Sequence, residues 1–148
     1  MYEGGIRVPF IVSWKGHVAE GGETDFMCSF WDLMPTLREI NGQAVPDDMD
    51  GISLLPLLEG KKGQKEHESL YFEFQEMGGR QAVRKGPWKL VHMNVRSEQD
   101  YYELYNLEED PSETLDLLAV HPDVVEELKA IMAESHIPNP DFPVLKGE

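Results

Sequence analysis

The chain has 148 residues, a hydrophobic content of 41% and a formal net charge of −15 at pH 7. This length suits one globular domain, and the longest uncharged apolar run, Val8–Trp14, is far shorter than the ~20 residues of a membrane-spanning helix. The negative charge argues against nucleic acid or an anionic membrane as a partner, because Coulomb repulsion opposes their approach.

The sequence predicts neither a disulfide nor a metal site. Cys28 is the only cysteine, so no internal disulfide can form and the redox compartment stays undetermined. Its apolar surroundings, Phe26–Trp31, are typical of a buried, unreactive thiol. The acidic stretch in Pro46–Gln64 invites comparison with a calcium loop, but a proline stands where the first oxygen ligand of an EF-hand would be.

The first third of the chain predicts a strand and a helix. Gly5–Trp14 is nearly continuously apolar, which is typical of a strand buried on both faces in a parallel or mixed sheet. Apolar residues spaced by three and four then predict a helix over Asp32–Ile40, with Asp32 as its N-cap and Asn41-Gly42 as its end.

The second half predicts a small antiparallel sheet and a helix. Four segments rich in β-branched and aromatic residues are separated by turn residues. Pro122 begins a helix with an apolar face, and the proline-rich tail 138–148 is expected to cover the surface or be loose. Within the third strand, Lys89 is expected to pack its stem and extend its amine to solvent. The predicted strands are Leu70–Phe74, Arg80–Lys85, Trp88–Met93 and Tyr101–Leu107.

Charge is distributed unevenly along this half. The stretch from Arg80 to Arg96 holds five basic residues and no acidic one, whereas Glu98 to Glu127 holds eleven acidic residues and no basic one. Two interpretations stay open: a solvated face with cross-strand charge complementarity, or a basic segment that faces an anionic substrate.

Several stretches, taken in order, resemble the central-to-late part of a type I sulfatase. They run from Met1 to about Met132, nearly the whole chain. They are YEGGIRVPFIVSWKG (2–16), DLMPTLREINGQAVP (32–46), DGISLLPLLEGK (50–61), AVRKGPWKLV (82–91), ELYNLEEDPSETLDLL (103–118) and HPDVVEEL (121–128).

The resemblance implies an α+β fold: a small four-stranded antiparallel sheet packed by a C-terminal helix, preceded by a strand and a helix that belong to a larger α/β domain of the alkaline-phosphatase type. Residues 1–64 are then expected to be the tail end of that large domain, 65–137 the C-terminal subdomain and 138–148 a separate tail.

The resemblance also implies that the reacting groups lie elsewhere. The family's catalytic lysine stands about four residues ahead of Tyr2, which would place it before Met1. Calcium ligands, an active-site histidine and the Cys-x-Pro-x-Arg motif that yields formylglycine lie further upstream, and Cys28 does not fit that motif. We expect no catalytic residue, metal ligand or cofactor in this chain, calcium and formylglycine in the parent protein, and no turnover by the chain alone.

Glu76 and Arg80 are the candidate substrate-binding residues. They flank a glycine-containing loop that in sulfatases can approach the active-site mouth, where they could meet sugar hydroxyls and an anionic group; an ordinary hairpin loop is the alternative. Tyr2, Glu3 and Arg7 either support the active site or pack locally, with Glu3 and Arg7 paired.

The expected partners are the remainder of the parent sulfatase and, in that parent, a sulfated small molecule or sugar. The chain by itself is expected to self-associate or to leave Gly5–Trp14 poorly ordered. The compartment is not determined: periplasmic, secreted and lysosomal locations stay open for the parent. A free-standing, non-catalytic interaction module with the sulfatase C-terminal fold is the alternative function.

Overall fold

The computed structural model describes all 148 residues, which divide into two compact units. Residues Met1–Val8 and Glu68–Glu148 form the first, here called the sheet unit, and Pro9–His67 form the second, the helical unit. No helix is long and apolar enough to cross a membrane. The assignment of 1–64 to the end of a larger domain stays a prediction.

The sheet unit is built on a four-stranded antiparallel meander in the order β1-β2-β3-β4. Turns rich in glycine, proline and asparagine separate strands that are rich in β-branched and aromatic residues. The predicted bounds are confirmed, except that the fourth strand ends one residue earlier than expected. The strands are β1 (Leu70–Phe74), β2 (Arg80–Lys85), β3 (Trp88–Met93) and β4 (Tyr101–Asn106).

Helix α4 (Pro122–Ser135) covers one face of this sheet. Side chains alternate between the two faces along each strand, so neighbouring core residues such as Val83 and Ala82 belong to opposite sides. Val125, Leu128 and Met132 of α4 pack against Val83 and Leu90 and form one buried cluster with them. The burial of apolar surface stabilises this layer by about 25 cal/mol per Å². The predicted terminal helix is therefore confirmed.

The strand expected over Gly5–Trp14 does not form. Instead, α1 (Glu3–Ile6) makes one helical turn, with the Gly5 and Ile6 amides donating to the Tyr2 carbonyl at 2.9 and 3.2 Å, and no strand follows. Apolar composition predicted burial, yet Ile11 is 89% exposed. A strand needs a neighbouring strand to accept and donate its backbone hydrogen bonds, and none pairs with this segment.

The helical unit contains a 3₁₀ turn (Phe30–Asp32), α2 (Leu33–Ile40) and the short α3 (Leu55–Leu58). The predicted helix is thus confirmed, with a 3₁₀ entry. Between α2 and α3, Gly51 packs so closely on the Trp31 backbone that an added Cβ would lie 2.3 Å from its carbonyl oxygen. Only glycine fits that approach.

Candidate functional site

The face of the sheet opposite α4, here called the N-terminal face, is covered by the first residues of the chain. Met1 and Tyr2 pack against its buried cluster, which includes Val91 and Tyr105. The Tyr2 ring meets Tyr105 edge to face at 6.4 Å, and its hydroxyl donates to Glu103 at 2.6 Å. Burial and then the Glu103 hydrogen bond raise the pKa of Tyr2, so this hydroxyl remains a donor at neutral pH.

Glu3, Lys89 and Glu113 form a buried ionic cluster on the N-terminal face. The Lys89 Nζ lies 2.9 Å from Glu3 Oε1 and 2.7 Å from Glu113 Oε1. The Glu3 backbone N–H donates to Glu113 Oε2 at 2.6 Å, and Arg84 Nη1 lies 3.9 Å from Glu3 Oε2. Two cations face two carboxylates, so the cluster is neutral overall and its charges compensate each other within the protein.

Two expectations for these residues are wrong. Lys89 does not extend to solvent, because it is fully buried with both neighbouring carboxylates. Glu3 does not pair with Arg7, which is exposed and donates only its backbone N–H to the Glu3 carbonyl, at 2.8 Å. A buried ammonium attracts a carboxylate more strongly than an exposed guanidinium does, since water screens the exposed charge.

The loop after β4 presents Glu113 to this cluster. Asp110 Oδ2 accepts the amides of Thr114 and Leu115 at 2.6 and 2.8 Å. The Leu115 amide, followed by those of its neighbours, lowers the pKa of Asp110, so the loop is held by an ionised acceptor. Glu113 itself has φ +55°, a left-handed conformation that costs a non-glycine residue roughly 1–2 kcal/mol. In this conformation its carboxylate reaches the Glu3 amide and Lys89.

Arg80, one of the two candidate substrate-binding residues, begins β2 on the N-terminal face. It is partly buried, its Nη2 contacts the Met77 sulfur at 3.4 Å, and its Nε is buried without a hydrogen-bond partner. No carboxylate pairs with it. Glu76 is exposed in the loop before β2, and the structure does not bring the two side chains into contact. A role in substrate binding stays a prediction for both residues.

The loop between β1 and β2 is fixed by glycine and by the tail of the chain. Gly79 has φ +78°, and a Cβ there would lie 2.7 Å from the Val144 carbonyl oxygen. Arg96 donates to the Pro143 carbonyl at 2.7 Å and also to the Gln75 carbonyl. This part of the tail therefore packs on the loop, and Val144 is 1% exposed.

The other basic side chains of the stretch from Arg80 to Arg96 each lie within ion-pair or hydrogen-bond distance of an oxygen. Lys85 pairs with Glu127, Lys89 and Arg84 with the buried carboxylates, and Arg96 with two carbonyls. These contacts favour charge complementarity for most of the stretch. Arg80 differs from the first three in that no carboxylate pairs with its guanidinium, although the Nε of both Arg80 and Arg84 is buried without a hydrogen-bond partner.

Asp32 organises the helical unit through a fully buried carboxylate. Its Oδ1 accepts the Ile52 amide and His67 Nε2, both at 2.8 Å, and its Oδ2 accepts the Ser29 amide at 2.7 Å. Asp32 stands at the N-cap position of α2, as predicted, but its side chain does not cap that helix. Three converging donors make it a structural acceptor that joins three segments.

An open pocket of about 250 Å³ lies beside this group, lined by Phe26, Met27, Glu66 and His67. Cys28 is half-buried in the same unit, and burial, followed by the charge of Asp32, raises the pKa of its thiol. A raised pKa leaves little thiolate at neutral pH, which makes a poor nucleophile. The contact between Asp32 and His67 joins two segments of the helical unit.

A polar network crosses the α4 face of the sheet. The Tyr71 hydroxyl donates to Glu73 at 2.7 Å and accepts from Gln81 at the same distance. Further along, His92 Nε2 lies 2.7 Å from Asp100 and its ring stacks on Tyr102 at 3.9 Å. The network ties β1, β2 and β3 together by side chains as well as by backbone.

His136, just after α4, closes one end of this network. Its Nδ1 lies 2.9 Å from Glu73 Oε2, and its Nε2 contacts Glu148. Burial by itself would lower the pKa of His136, but the hydrogen bonds to Glu148 and Glu73 outweigh it, so the pKa is raised. The charged imidazolium is the form that this site favours.

No group of three histidine, cysteine, aspartate or glutamate side chains is placed to hold a metal ion, and no Cys-x-Pro-x-Arg motif occurs in the sequence. The residues of this chain therefore do not fit the calcium or the formylglycine that the resemblance implies for the parent. The predicted absence of reacting groups rests on the sequence alone.

Comparisons with known proteins agree with the resemblance. The profile of a family described as N-sulphoglucosamine sulphohydrolase, C-terminal, matches residues 1–137. Arylsulfatase A of Homo sapiens is 33% identical over 156 residues, covering 88% of this chain and 30% of that protein. Steryl-sulfatase of Homo sapiens is 42% identical over 72 residues, covering 47% and 12% respectively.

The chain is also similar to a protein whose structure was solved in complex with its substrate, D-glucosamine-2-N,6-O-disulfate. The two sequences are 25% identical, the TM-score is 0.59, and the match covers 70% of this chain and 23% of that protein's chain. The chain thus spans less than a third of the length of these relatives. Since the family profile covers almost the whole chain and the sheet with its terminal helix is as expected, the chain belongs to the sulfatases of the alkaline-phosphatase-like superfamily and corresponds to their C-terminal region.

Proposed function

We propose that this chain is the C-terminal part of a formylglycine-dependent enzyme that hydrolyses sulfate esters, and that it completes the large domain and shapes access of the substrate. The observation that carries the proposal is the docking of Tyr2 and Glu3 on the N-terminal face. In the family, an active-site lysine stands about four residues ahead of Tyr2, so on this proposal the sheet holds the chain near the reacting groups.

The chemistry requires groups that this chain does not supply. Cleavage of a sulfate ester needs a nucleophile in line with the leaving oxygen, and a cation with basic residues to hold the sulfate charge. In the parent, formylglycine would supply the nucleophile and calcium the cation, both held by residues outside this chain. The chain by itself is therefore inactive.

Exposed apolar side chains support a role in completing a larger domain. Phe10 and Ile11 are 52% and 89% exposed, and α2 presents Met34 and Leu37 to solvent. The backbone groups of residues 9–13 make no backbone hydrogen bonds. Contiguous apolar surface marks interaction sites, and we assign these exposed side chains to contact with the large sheet of the parent.

Arg80 supports a sulfated carbohydrate as the substrate class. Its guanidinium lacks an acidic partner, and a guanidinium binds sulfate-like oxyanions with paired hydrogen bonds. A structurally similar protein was solved with a disulfated glucosamine. On this proposal Arg80 contacts an anionic group away from the scissile bond, and Glu76 accepts hydrogen bonds from sugar hydroxyls.

The first experiment compares the chain with the whole protein encoded by its gene. We expect the whole protein to hydrolyse a small aryl sulfate and the purified 148-residue chain to give no turnover above the buffer blank, with or without calcium. Heat-sensitive turnover by the chain that survives repurification would contradict its inactivity. An inactive whole protein, although it carries formylglycine, would contradict the proposed function.

The second experiment replaces Arg80 by Ala in the whole protein. We expect kcat/KM to fall about 10-fold or more on a sulfated disaccharide and to stay within twofold on the aryl sulfate, since only remote binding energy is lost. Lys85→Ala is the matched control, because Lys85 ends the same strand but pairs with Glu127. Equal losses on both substrates would indicate a role in folding, and unchanged kinetics would leave Arg80 a surface residue.

A non-catalytic interaction module is the second candidate. The observation in its favour is that both faces of the sheet are covered by residues of the chain itself, α4 on one side and Met1–Tyr2 on the other. Light scattering after size exclusion, with hydrogen exchange on the same sample, separates the two candidates. A strict monomer with protected amides at Val8–Val12 favours the module, whereas self-association or rapid exchange there favours the sulfatase part.

A further inference from the structure

The buried cluster of Glu3, Lys89 and Glu113 joins the first turn of the chain to the centre of the sheet. We infer that Lys89 and Glu113 are positioning residues, which fix the backbone at Glu3 and thereby set the place of the active-site lysine that precedes it in the parent. The effect on that lysine rests on the proposed function, whereas the contacts among Glu3, Lys89 and Glu113 are observed in the structure.

Contacts to Glu3 define both its backbone and its side chain. Glu113 Oε2 accepts the Glu3 N–H at 2.6 Å, and Lys89 Nζ binds Glu3 Oε1 at 2.9 Å. Lys89 Nζ also lies 2.7 Å from Glu113 Oε1, in an ion pair that lacks hydrogen-bond geometry. Lys89 therefore holds the side chain of Glu3, and Glu113 holds its backbone.

Simple packing does not account for such a cluster. A buried ion pair contributes little net stability compared with apolar residues of the same volume, and Glu113 adopts the unfavourable left-handed conformation to reach it. The cluster instead fixes the position of the segment around Glu3, because the carboxylates of Glu3 and Glu113 must both lie next to the Lys89 ammonium. An apolar contact in its place would tolerate sliding.

The distance along the chain makes this placement relevant to catalysis. The expected lysine lies about four residues before Tyr2, so about 18 Å of fully extended chain is the most that can separate it from Glu3. A misplacement of about 1 Å in a reacting group can reduce the rate about 100-fold. A displacement of Glu3 would therefore also displace the expected lysine, which is only a few residues away along the chain.

Lys89→Met is the main test, made in the whole protein with a small aryl sulfate. Without the ammonium, Glu3 and Glu113 repel each other in a buried site and the segment moves away. We expect kcat to fall at least 10-fold while KM changes less than threefold, and amide exchange at residues 3–7 to accelerate at least 10-fold with β2 and β3 unchanged. Lys85→Met, which loses only an exposed pair, is the matched control and keeps wild-type values.

The double variant Lys89→Met/Glu113→Gln supplies a rescue. It removes one of the two carboxylate charges, while the glutamine oxygen can still accept the Glu3 N–H and Arg84 remains near Glu3. We expect it to recover part of the lost kcat and of the exchange protection. Recovery of both would show that the loss comes from the two carboxylates left without the ammonium.

The outcomes separate the inference from the proposed function. An inactive wild-type protein refutes the proposed function, and exchange at residues 3–7 then tests the cluster alone: unchanged exchange in Lys89→Met overturns the inference. With an active wild type, an unchanged kcat or a loss without rescue overturns it. If Lys89→Met does not fold, Glu113→Gln carries the same test with the same two readouts and a loss of kcat of at least threefold expected.

Discussion

Substitution of Asp32 tests whether one buried carboxylate holds the helical unit together. Its two oxygens accept three hydrogen bonds, from the amides of Ser29 and Ile52 and from the His67 ring. The residue is fully buried, so these hydrogen bonds are made inside the protein. Asp32→Ala leaves all three donors without an acceptor.

The magnitude follows from the count of donors. Each buried donor that loses its partner costs about 1–3 kcal/mol, so Asp32→Ala is expected to cost roughly 3–9 kcal/mol. Domains are stable by only about 5–15 kcal/mol, and the variant should therefore lose α2 and the turns around it. Asp32→Asn keeps an oxygen for Ile52 and His67 but turns a donor toward the Ser29 amide, so a cost of about 1–3 kcal/mol is expected.

Hydrogen exchange measured by mass spectrometry provides the assay, because it reports on each segment separately. Asp32→Ala should remove protection from α2 and leave β2 and β3 protected, while Asp32→Asn should weaken protection of α2 without abolishing it. Asp25→Ala, at an exposed acidic residue of the same unit, should change nothing. Wild-type protection of α2 in Asp32→Ala would refute the view that these three hydrogen bonds hold the unit.

Two further predictions concern the sheet unit. Gly79 has a left-handed φ, and a Cβ there would lie 2.7 Å from the Val144 carbonyl oxygen, so Gly79→Ala should lower the free energy of unfolding by about 2–4 kcal/mol. Gly86→Ala, which has open space around it, should lower it by about 1 kcal/mol. Equal losses for the two variants in chemical denaturation would show that the close approach is irrelevant. Since the pKa of His136 is raised in the folded state, its contribution to stability is complete below the ordinary value of about 6.5 and is lost as pH rises through the folded value. The stability difference between wild type and His136→Asn should therefore shrink from pH 6 to 8.5, and a constant or growing difference would contradict the ion-paired assignment.

The sheet could be predicted because its signals are local. Alternation and turn residues define each strand within a few positions, and the Gly86-Pro87 turn sets the register of β2 against β3, with Lys85 opposite Trp88. The terminal helix begins at Pro122 for an equally local reason. Such elements need no information about residues far away in the chain.

The predicted strand at Gly5–Trp14 failed because pairing is not local. A continuous apolar run predicts that a segment is buried. To form a strand, the segment also needs a neighbouring strand as its hydrogen-bond partner, which another part of the sequence must supply. Within this chain no such partner pairs with it, and Ile11 stays exposed. The apolar pattern therefore predicted burial correctly for neither Ile11 nor Phe10, which the structure leaves exposed.

Lys89 was misjudged for a related reason. A lysine in a strand is ordinarily placed at the solvent, and its partners lie 86 residues before it and 24 residues after it, which no periodicity can reveal. The sequence nonetheless held a signal: the neighbouring strand carries consecutive apolar residues, Ala82 and Val83, which alternation places on opposite faces. A sheet covered on both sides leaves no solvent for a central lysine, so such a residue must have buried carboxylates as partners.

The net charge predicts which classes of large partner the chain repels, but it does not predict whether a small anion can bind at one site. A total of −15 repels a polyanion that meets the whole surface, but at physiological salt a charge is felt over only about 8 Å. On the N-terminal face, Lys89 and Arg84 are balanced by the carboxylates of Glu3 and Glu113. Arg80 lies on that same face without a carboxylate of its own, so a small sulfated ligand would meet one uncompensated cation there. The acidic composition and the proposed anion contact are thus compatible, because they act over different distances.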